Sequence, residues 1–132
     1  MLRGVPMFAA LSRRHLHRVA SNAEEVRYGS GRVIVRQGAR GDAFFVVAEG
    51  TARVVRGNRT IGRLEAGDFF GEMALLDGQP RSASVVAVTP MTTIRLTRAR
   101  FNKVLDSEPA IARAILVELA HRVRGLERPR TE

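Results

Sequence analysis

Two side chains in this chain of 132 residues stand where their chemistry invites a ligand, Glu72 and Arg81. Both belong to the run Phe69-Phe70-Gly71-Glu72-Met73-Ala74-Leu75-Leu76-Asp77-Gly78-Gln79-Pro80-Arg81-Ser82-Ala83-Ser84-Val85. Gly71 permits a close backbone approach and a sharp turn into a short helix over 72–76, which Asp77-Gly78 stops and Pro80 keeps from resuming. So short a helix cannot stand alone, because nucleation is costly, and a sheet must hold it. Its free N–H groups at 72–74 would attract an anion. Arg81, nine residues after Glu72 at the start of an expected strand, can fold back beside them. A guanidinium and a helix N-terminus converging on one point suit a phosphate or a carboxylate. Glu72 is then the odd residue, since an acid there repels an anion unless its carboxylate accepts a hydrogen bond from a nearby hydroxyl. A sugar next to a phosphate supplies that hydroxyl, and anion plus vicinal hydroxyl describes a nucleotide.

Three zones of different periodicity must position these groups. Residues 1–25 carry Val5, Phe8, Leu11, Leu16 and Val19, with Ser12 as the N-cap of a helix over 13–23. From 26 to 97 the texture changes to short apolar runs punctuated by glycine, at 32–36, 43–48, 52–56, 60–64, 82–88 and 92–96. That is the punctuation of a rolled β structure. Gly57-Asn58 falls between two of these runs and suits a tight hairpin, where positive φ is cheap for glycine and tolerable for asparagine. A helical period returns over 98–105, and Pro109 fits the first turn of a last helix reaching about residue 126. On that helix Ala112, Leu116, Leu119, Val123 and Leu126 make an apolar seam with a period of about 3.5 residues. The seam packs either on the chain's own sheet or on a partner helix.

The run Phe70-Gly71-Glu72-Met73-Ala74-Leu75, followed by Pro80-Arg81-Ser82-Ala83, resembles the phosphate-binding cassette of cyclic nucleotide-binding domains. That family includes the catabolite activator protein, protein kinase A regulatory subunits and nucleotide-gated channels. Gly38-Ala39-Arg40-Gly41-Asp42, Glu49-Gly50 and Gly67-Asp68-Phe69 resemble its turn glycines, and the likeness extends over essentially the whole chain. It implies a mainly β fold: a β-roll of the double-stranded β-helix or jelly-roll kind, with N-terminal helices and C-terminal lid helices. Residues 1–132 are then one domain, with an N-terminal helical segment at 1–25, the roll at 26–97, the cassette at 70–85 and C-terminal helices at 98–127. By the same resemblance Arg81 pairs with the cyclic phosphate, and Ser82 with the backbone of Ala83 adds donors to it. Gly71 and Glu72 take the ribose 2′-hydroxyl, and Met73 and Ala74 lie beside the phosphate. Ser82 resembles bacterial regulators and channels rather than kinase-type domains, and its hydroxyl can meet the phosphate or a guanine amino group. The favoured ligand is cAMP, with cGMP as the alternative. The last helix would close over the base, hinged at 98–105 and Ser107-Glu108-Pro109, with Leu116, Leu119, Val123 and Leu126 facing inward. The effector reading the bound state is not visible in the sequence, and a homodimer through the last helix is one route of output.

Composition closes off other classes. Lys and Arg number 22 against 13 Asp and Glu, for a net charge of +9, and Lys103 is the one lysine. The arginines run from Arg3 to Arg130, and so even an arginine bias reads as genomic base composition rather than as a binding surface. Aromatics are Tyr28 and six phenylalanines, most in core-like runs, which gives no stacking platform and, with no recognition helix, no specific nucleic-acid partner. With no cysteine, disulfides, thiolate metal sites and thiol nucleophiles drop out together, and a cytoplasmic location is expected. No window approaches the roughly 20 apolar residues of a membrane span. A metal enzyme would need His15-x-His17 on a barrel strand, but these lie in the N-terminal helical segment, His121 lies on the last helix, and no Glu completes the set. No metal and no catalysis are expected. Two other readings remain: a degenerate family member acting as an interaction module, against which the Glu72/Arg81 pair argues, and a basic nucleic-acid-associated domain.

Overall fold

The computed structural model describes residues 13–127. Their order is α1 (Arg13–Asn22), β1 (Glu24–Tyr28), β2 (Val33–Val35), β3 (Ala43–Glu49), β4 (Ala52–Arg56), β5 (Arg59–Leu64), β6 (Phe69–Phe70), α2 (Glu72–Asp77), β7 (Ser84–Ala87), β8 (Met91–Thr97), α3 (Arg98–Ser107) and α4 (Pro109–Glu127). The strands form two four-stranded antiparallel sheets, β1-β8-β3-β6 and β2-β7-β4-β5, flanked by helices at both ends of the chain. This is the jelly roll with flanking helices expected of the sequence.

β3 shows why the chain folds in layers. Its first five residues, Ala43 to Val47, are all buried, because both faces of the strand are covered. Phe44 and Val46 join Phe69, Ile94 and Leu96 under the helices, where Val19 of α1, Phe101 of α3 and Ile111 and Ile115 of α4 meet them. Ala43, Phe45 and Val47 face the other way, onto Ala52, Leu64, Val85 and Ala87 of the second sheet. The two aromatic clusters follow this division: Phe44 packs 4.8 Å from Phe101, and Phe45 stacks on Phe70 at 4.9 Å. Burying a side chain of this size stabilises the fold by about 1.5–3 kcal/mol.

Several sequence expectations shift. Val5, Phe8, Leu11, the Ser12 cap and the side chains of Leu16 and Leu126 lie outside the described residues. β1 begins at Glu24, inside the segment read as helical, because its whole length pairs with β8 from Glu24↔Arg95 to Tyr28↔Met91. β7 begins at Ser84 rather than at 82, so Arg81 is in the preceding loop, where its N–H donates to the Ala39 carbonyl and its carbonyl accepts from Gly38, both at 2.8 Å. At the hairpin tip Gly57 alone takes positive φ, at 61°, and Asn58 does not. The seam on α4 is also rotated. Ile111 and Ile115 are the buried residues, with Leu119 packed beside them, while Leu116 is 67% and Val123 52% exposed. The β-branched pair at i, i+4 outcompetes the leucine spacing, because it is the face that α3 and β3 can reach.

Gly41 fixes the distance between the roll and α2. A Cβ built there would fall 2.4 Å from the Ala74 Cβ, so the loop can lie against the helix only with glycine. Gly41→Ala should lower stability by about 1–3 kcal/mol, the usual cost of overpacking, read as a shifted urea midpoint. Adding Ala74→Gly should recover part of the loss, although glycine in a helix costs about 1 kcal/mol. An unshifted midpoint in Gly41→Ala would show that this contact does not constrain the helix.

Candidate functional site

The site is built where the short helix α2 is pressed between β3 and the loop before β7. Gly71 is its N-cap, with φ 94° and no side-chain cap bond, and Gly78 closes it with a 3.1 Å bond from its N–H to the Ala74 carbonyl. Gly71 is required twice over. Its left-handed backbone favours glycine, and a Cβ there would meet both the Ala43 carbonyl oxygen and Arg81 Nη1 at 2.8 Å.

Arg81 is 6% exposed. Its Nη1 donates to the Gly71 carbonyl at 3.0 Å and its Nη2 to the Ala43 carbonyl at 2.8 Å, with the Asp42 carboxylate 3.7 Å away. The guanidinium is therefore held in one orientation by backbone acceptors. Burial pulls its pKa below the usual arginine value, with Asp42 and Glu72 opposing the shift and Arg98 reinforcing it.

Glu72 opens α2 and is 1% exposed. Its Oε1 accepts a 2.6 Å hydrogen bond from Arg122 Nη1, and Arg122 comes from α4, fifty residues away. Burial raises the Glu72 pKa above the ordinary carboxylate value, and the Arg122 charge and a backbone N–H only partly oppose it. Arg122 also donates to the Phe69 carbonyl at 3.2 Å, lies over the Phe69 ring at 5.3 Å, and pairs with Glu118 one turn earlier. One side chain thus ties the last helix to the start of the cassette.

These groups line one pocket of about 440 Å³. All seven residues singled out in the sequence, Gly71, Glu72, Met73, Ala74, Arg81, Ser82 and Ala83, are on its walls. Val35, Val54, Ile61 and Leu64 supply an apolar side, and Glu118 and Arg122 of α4 close part of the rim. Met73 and Ser82 are exposed, whereas Ala74 is buried. A pocket with a fixed cation, a buried carboxylate and an apolar wall can bind a small anionic ligand that also carries a hydroxyl and a flat apolar group. Sequence reading missed Arg122. Its one local signal was the Glu118–Arg122 spacing of i, i+4, which marks a helix face but says nothing of Glu72. Asp42 was noticed only as part of a turn. Among the described residues no three His, Cys, Asp or Glu side chains are grouped to hold a metal, and His121 is exposed on α4.

With this geometry in view, comparison with known proteins points one way. The family model for the cyclic nucleotide-binding domain matches residues 25–108. A cAMP-dependent protein kinase regulatory subunit from Aspergillus fumigatus is 36% identical over 114 residues, covering 85% of this chain and 28% of that protein. The crystal structure of the Thermus thermophilus catabolite activator protein superposes with a TM-score of 0.84 at 33% identity, covering 92% of this chain and 60% of the other. The regulatory domain of Toxoplasma gondii PKA, crystallised with cAMP, gives a TM-score of 0.76 at 29% identity, over 92% of this chain and 47% of the other. The chain spans less than two thirds of the length of each of these relatives.

The raised pKa of Glu72 has a consequence for stability. A carboxyl group with a folded pKa above its unfolded value binds more protons folded than unfolded, so stability falls as pH rises from about the ordinary 4.5 through the folded pKa. At neutral pH the buried carboxylate therefore costs stability. Glu72→Gln should raise the neutral-pH unfolding free energy, because Arg122 is partly solvated and keeps Glu118 and the Phe69 carbonyl as partners, so no buried charge is left uncompensated. That gain should shrink as pH falls through the Glu72 pKa, followed by thermal melts at several pH values. A variant less stable than wild type at neutral pH would show that the Arg122 bond outweighs desolvation.

Proposed function

Because the chain belongs to the cyclic nucleotide-binding domain family, we propose that it is a cAMP sensor whose pocket takes the cyclic phosphate at Arg81 and the ribose at Glu72. The family is regulatory rather than catalytic, and the chain is a ligand-binding module, not an enzyme. The single observation that carries the cAMP reading is the convergence of the Arg81 guanidinium and the Glu72 carboxylate in one pocket. Arg81 is held by Gly71 and Ala43 beforehand, so little side-chain entropy is lost when a phosphate arrives. Ser82 and the Ala83 N–H, at the same rim, add donors, and Met73 and Ala74 flank the phosphate. The Glu72 carboxylate accepts the 2′-hydroxyl with Gly71 beside it, and the purine lies against Val35, Val54, Ile61 and Leu64. The relative co-crystallised with cAMP supports this choice of base, with cGMP as the alternative through Ser82.

In this reading output runs through α4. Arg122 bonds the very carboxylate that would receive the ribose, so the sugar and the last helix meet at one group. Occupancy then changes the contacts that hold α4, and a ligand shifts a conformational balance only through such differential contacts. The α3–α4 junction at Ser107-Glu108-Pro109 is the hinge. Leu116, Val117 and Val123 remain exposed on α4 for a second copy or an effector.

Calorimetric titration tests the assignment. The chain should bind cAMP, and 2′-deoxy-cAMP should bind more weakly by about 1.5–3 kcal/mol, the scale of a hydrogen bond to a charged group. The penalty should nearly vanish in Glu72→Ala. Arg81→Ala should lose about 10²-fold or more in affinity. Because its guanidinium also holds two backbone carbonyls, that variant should be less stable too, which makes the sugar cycle the cleaner measurement. Equal affinity for cAMP and its 2′-deoxy analogue would remove Glu72 from the site.

Amide exchange along residues 112–126 reads the output separately. Saturating cAMP should slow exchange there, and indifference to ligand would leave α4 a structural helix only.

A further inference from the structure

Folding sorts the positive charge that is spread along the sequence. The sheet β2-β7-β4-β5 contains Arg53, Arg56, Arg59 and Arg63 and no Asp or Glu, and Arg32 and Arg36 flank β2. The other sheet carries Glu24, Glu25 and Glu49 against Arg27 and Arg95. The nearest acids along the hairpin, Glu49 and Glu65, lie beyond the Ala52↔Leu64 pair, at the end away from the Gly57-Asn58 tip. Among the described residues none of these six arginines is in an ion pair.

The strand register sharpens the point. Arg53 stands directly opposite Arg63, and Arg56 directly opposite Arg59. Like charges facing each other across antiparallel strands destabilise a hairpin. Protecting an edge strand from aggregation needs charge on the edge, not a facing partner of the same sign. Ala52 and Leu64 point into the core, so strand alternation turns Arg53 and Arg63 to the outside, in line with Val86 and Val33, and turns Arg56 and its partner Arg59 to the pocket side of the tip. At the tip, the Gly57 N–H donates to the Gln37 side chain, which brings the chain next to Arg36 up to Arg56 and Arg59.

We propose that this hairpin, with Arg53 and Arg63 on its outer face and Arg56 and Arg59 at its tip, docks the phosphodiester backbone of a nucleic-acid duplex without reading its sequence. Guanidinium forks match phosphate oxygens, and backbone contacts need charge and spacing rather than base edges. The five described phenylalanines are buried and Tyr28 belongs to the other sheet, so the face has no platform for unpaired bases. Val33, Val55 and Val86 are half-buried within it and offer little to insert into a bilayer, which makes a membrane the poorer fit. The proposal needs no bound cyclic nucleotide, but the two surfaces meet, since Arg63 lines the pocket and Arg56 Nε donates to the Ser82 carbonyl at 3.1 Å.

The test is fluorescence anisotropy of a short random-sequence DNA duplex across a salt series. Contacts to about four to six phosphates should cost two to three decades of affinity for a fourfold rise in salt. Arg53→Gln combined with Arg59→Gln, neither of which lines the pocket, should reduce the log–log salt slope by about two and leave the thermal midpoint in place. Arg53→Glu, opposite Arg63, makes a cross-strand ion pair, so it should keep the fold and weaken duplex binding further. The proposal is overturned if the wild-type chain does not bind the duplex, or if these variants bind it as tightly as wild type. It is equally overturned if vesicles of anionic phospholipid capture the chain in preference to the duplex.

Discussion

The arrangement of the pocket depends on one buried cation. Arg81 links three parts of the chain that are far apart in sequence: the Ala43 carbonyl at the start of β3, the Gly71 carbonyl at the head of α2, and, through its own backbone, the glycine loop at Gly38 and Ala39. A guanidinium keeps its charge when buried, and its planar fork can satisfy two carbonyls at once, which lysine cannot do in a fixed orientation. The same geometry dictates glycine at 71, because any Cβ would occupy the space of the guanidinium and of the Ala43 oxygen. Position 41 is constrained from the opposite side by Ala74 of the same helix. A six-residue helix with little stability of its own is thereby held in place by its surroundings.

Glu72 represents the opposite balance. A carboxylate almost wholly removed from water is expensive, and its raised pKa shows that Arg122 does not fully compensate. Residues that cost stability in this way mark the places where a fold serves something other than its own stability. Here the costly group lines the pocket, and its partner belongs to the last helix. Under the proposed reading, the group that recognises the sugar and the group that holds α4 are the same carboxylate. Coupling between ligand and helix then needs no long path through the core.

The two sheets divide the work. The sheet of β1, β8, β3 and β6 is covered by helices and carries mixed charge, with Arg95 paired to both Glu24 and Asp42. The sheet of β2, β7, β4 and β5 forms the apolar wall of the pocket, and its β4–β5 hairpin carries four arginines and no acid. Its hairpin places like charges opposite one another, an arrangement that is easier to understand as a surface for an anion than as a device for stability.

The sequence by itself determined the local chemistry. The glycine that opens α2, the Asp77-Gly78 stop, the hairpin turn, most strands and the pairing of Glu72 with Arg81 were legible because each depends on the conformational preference or chemistry of residues close together in the chain, while Met73, Ala74, Ser82 and Ala83 came with the family resemblance. The family was legible for the same reason, since its cassette is a contiguous motif. The tertiary structure decided what depends on distant partners. Glu24 and Glu25 became strand because β8 was there to pair with them, and α4 turned Ile111 and Ile115 inward because those were the residues the core could reach. Arg122 met Glu72 across fifty residues, a pairing that nothing in the sequence around either position signals. The even run of arginines became an uneven surface only when the register of β4 on β5 set them face to face. Local preferences are written residue by residue, whereas pairing, burial and charge density depend on which segments folding brings together.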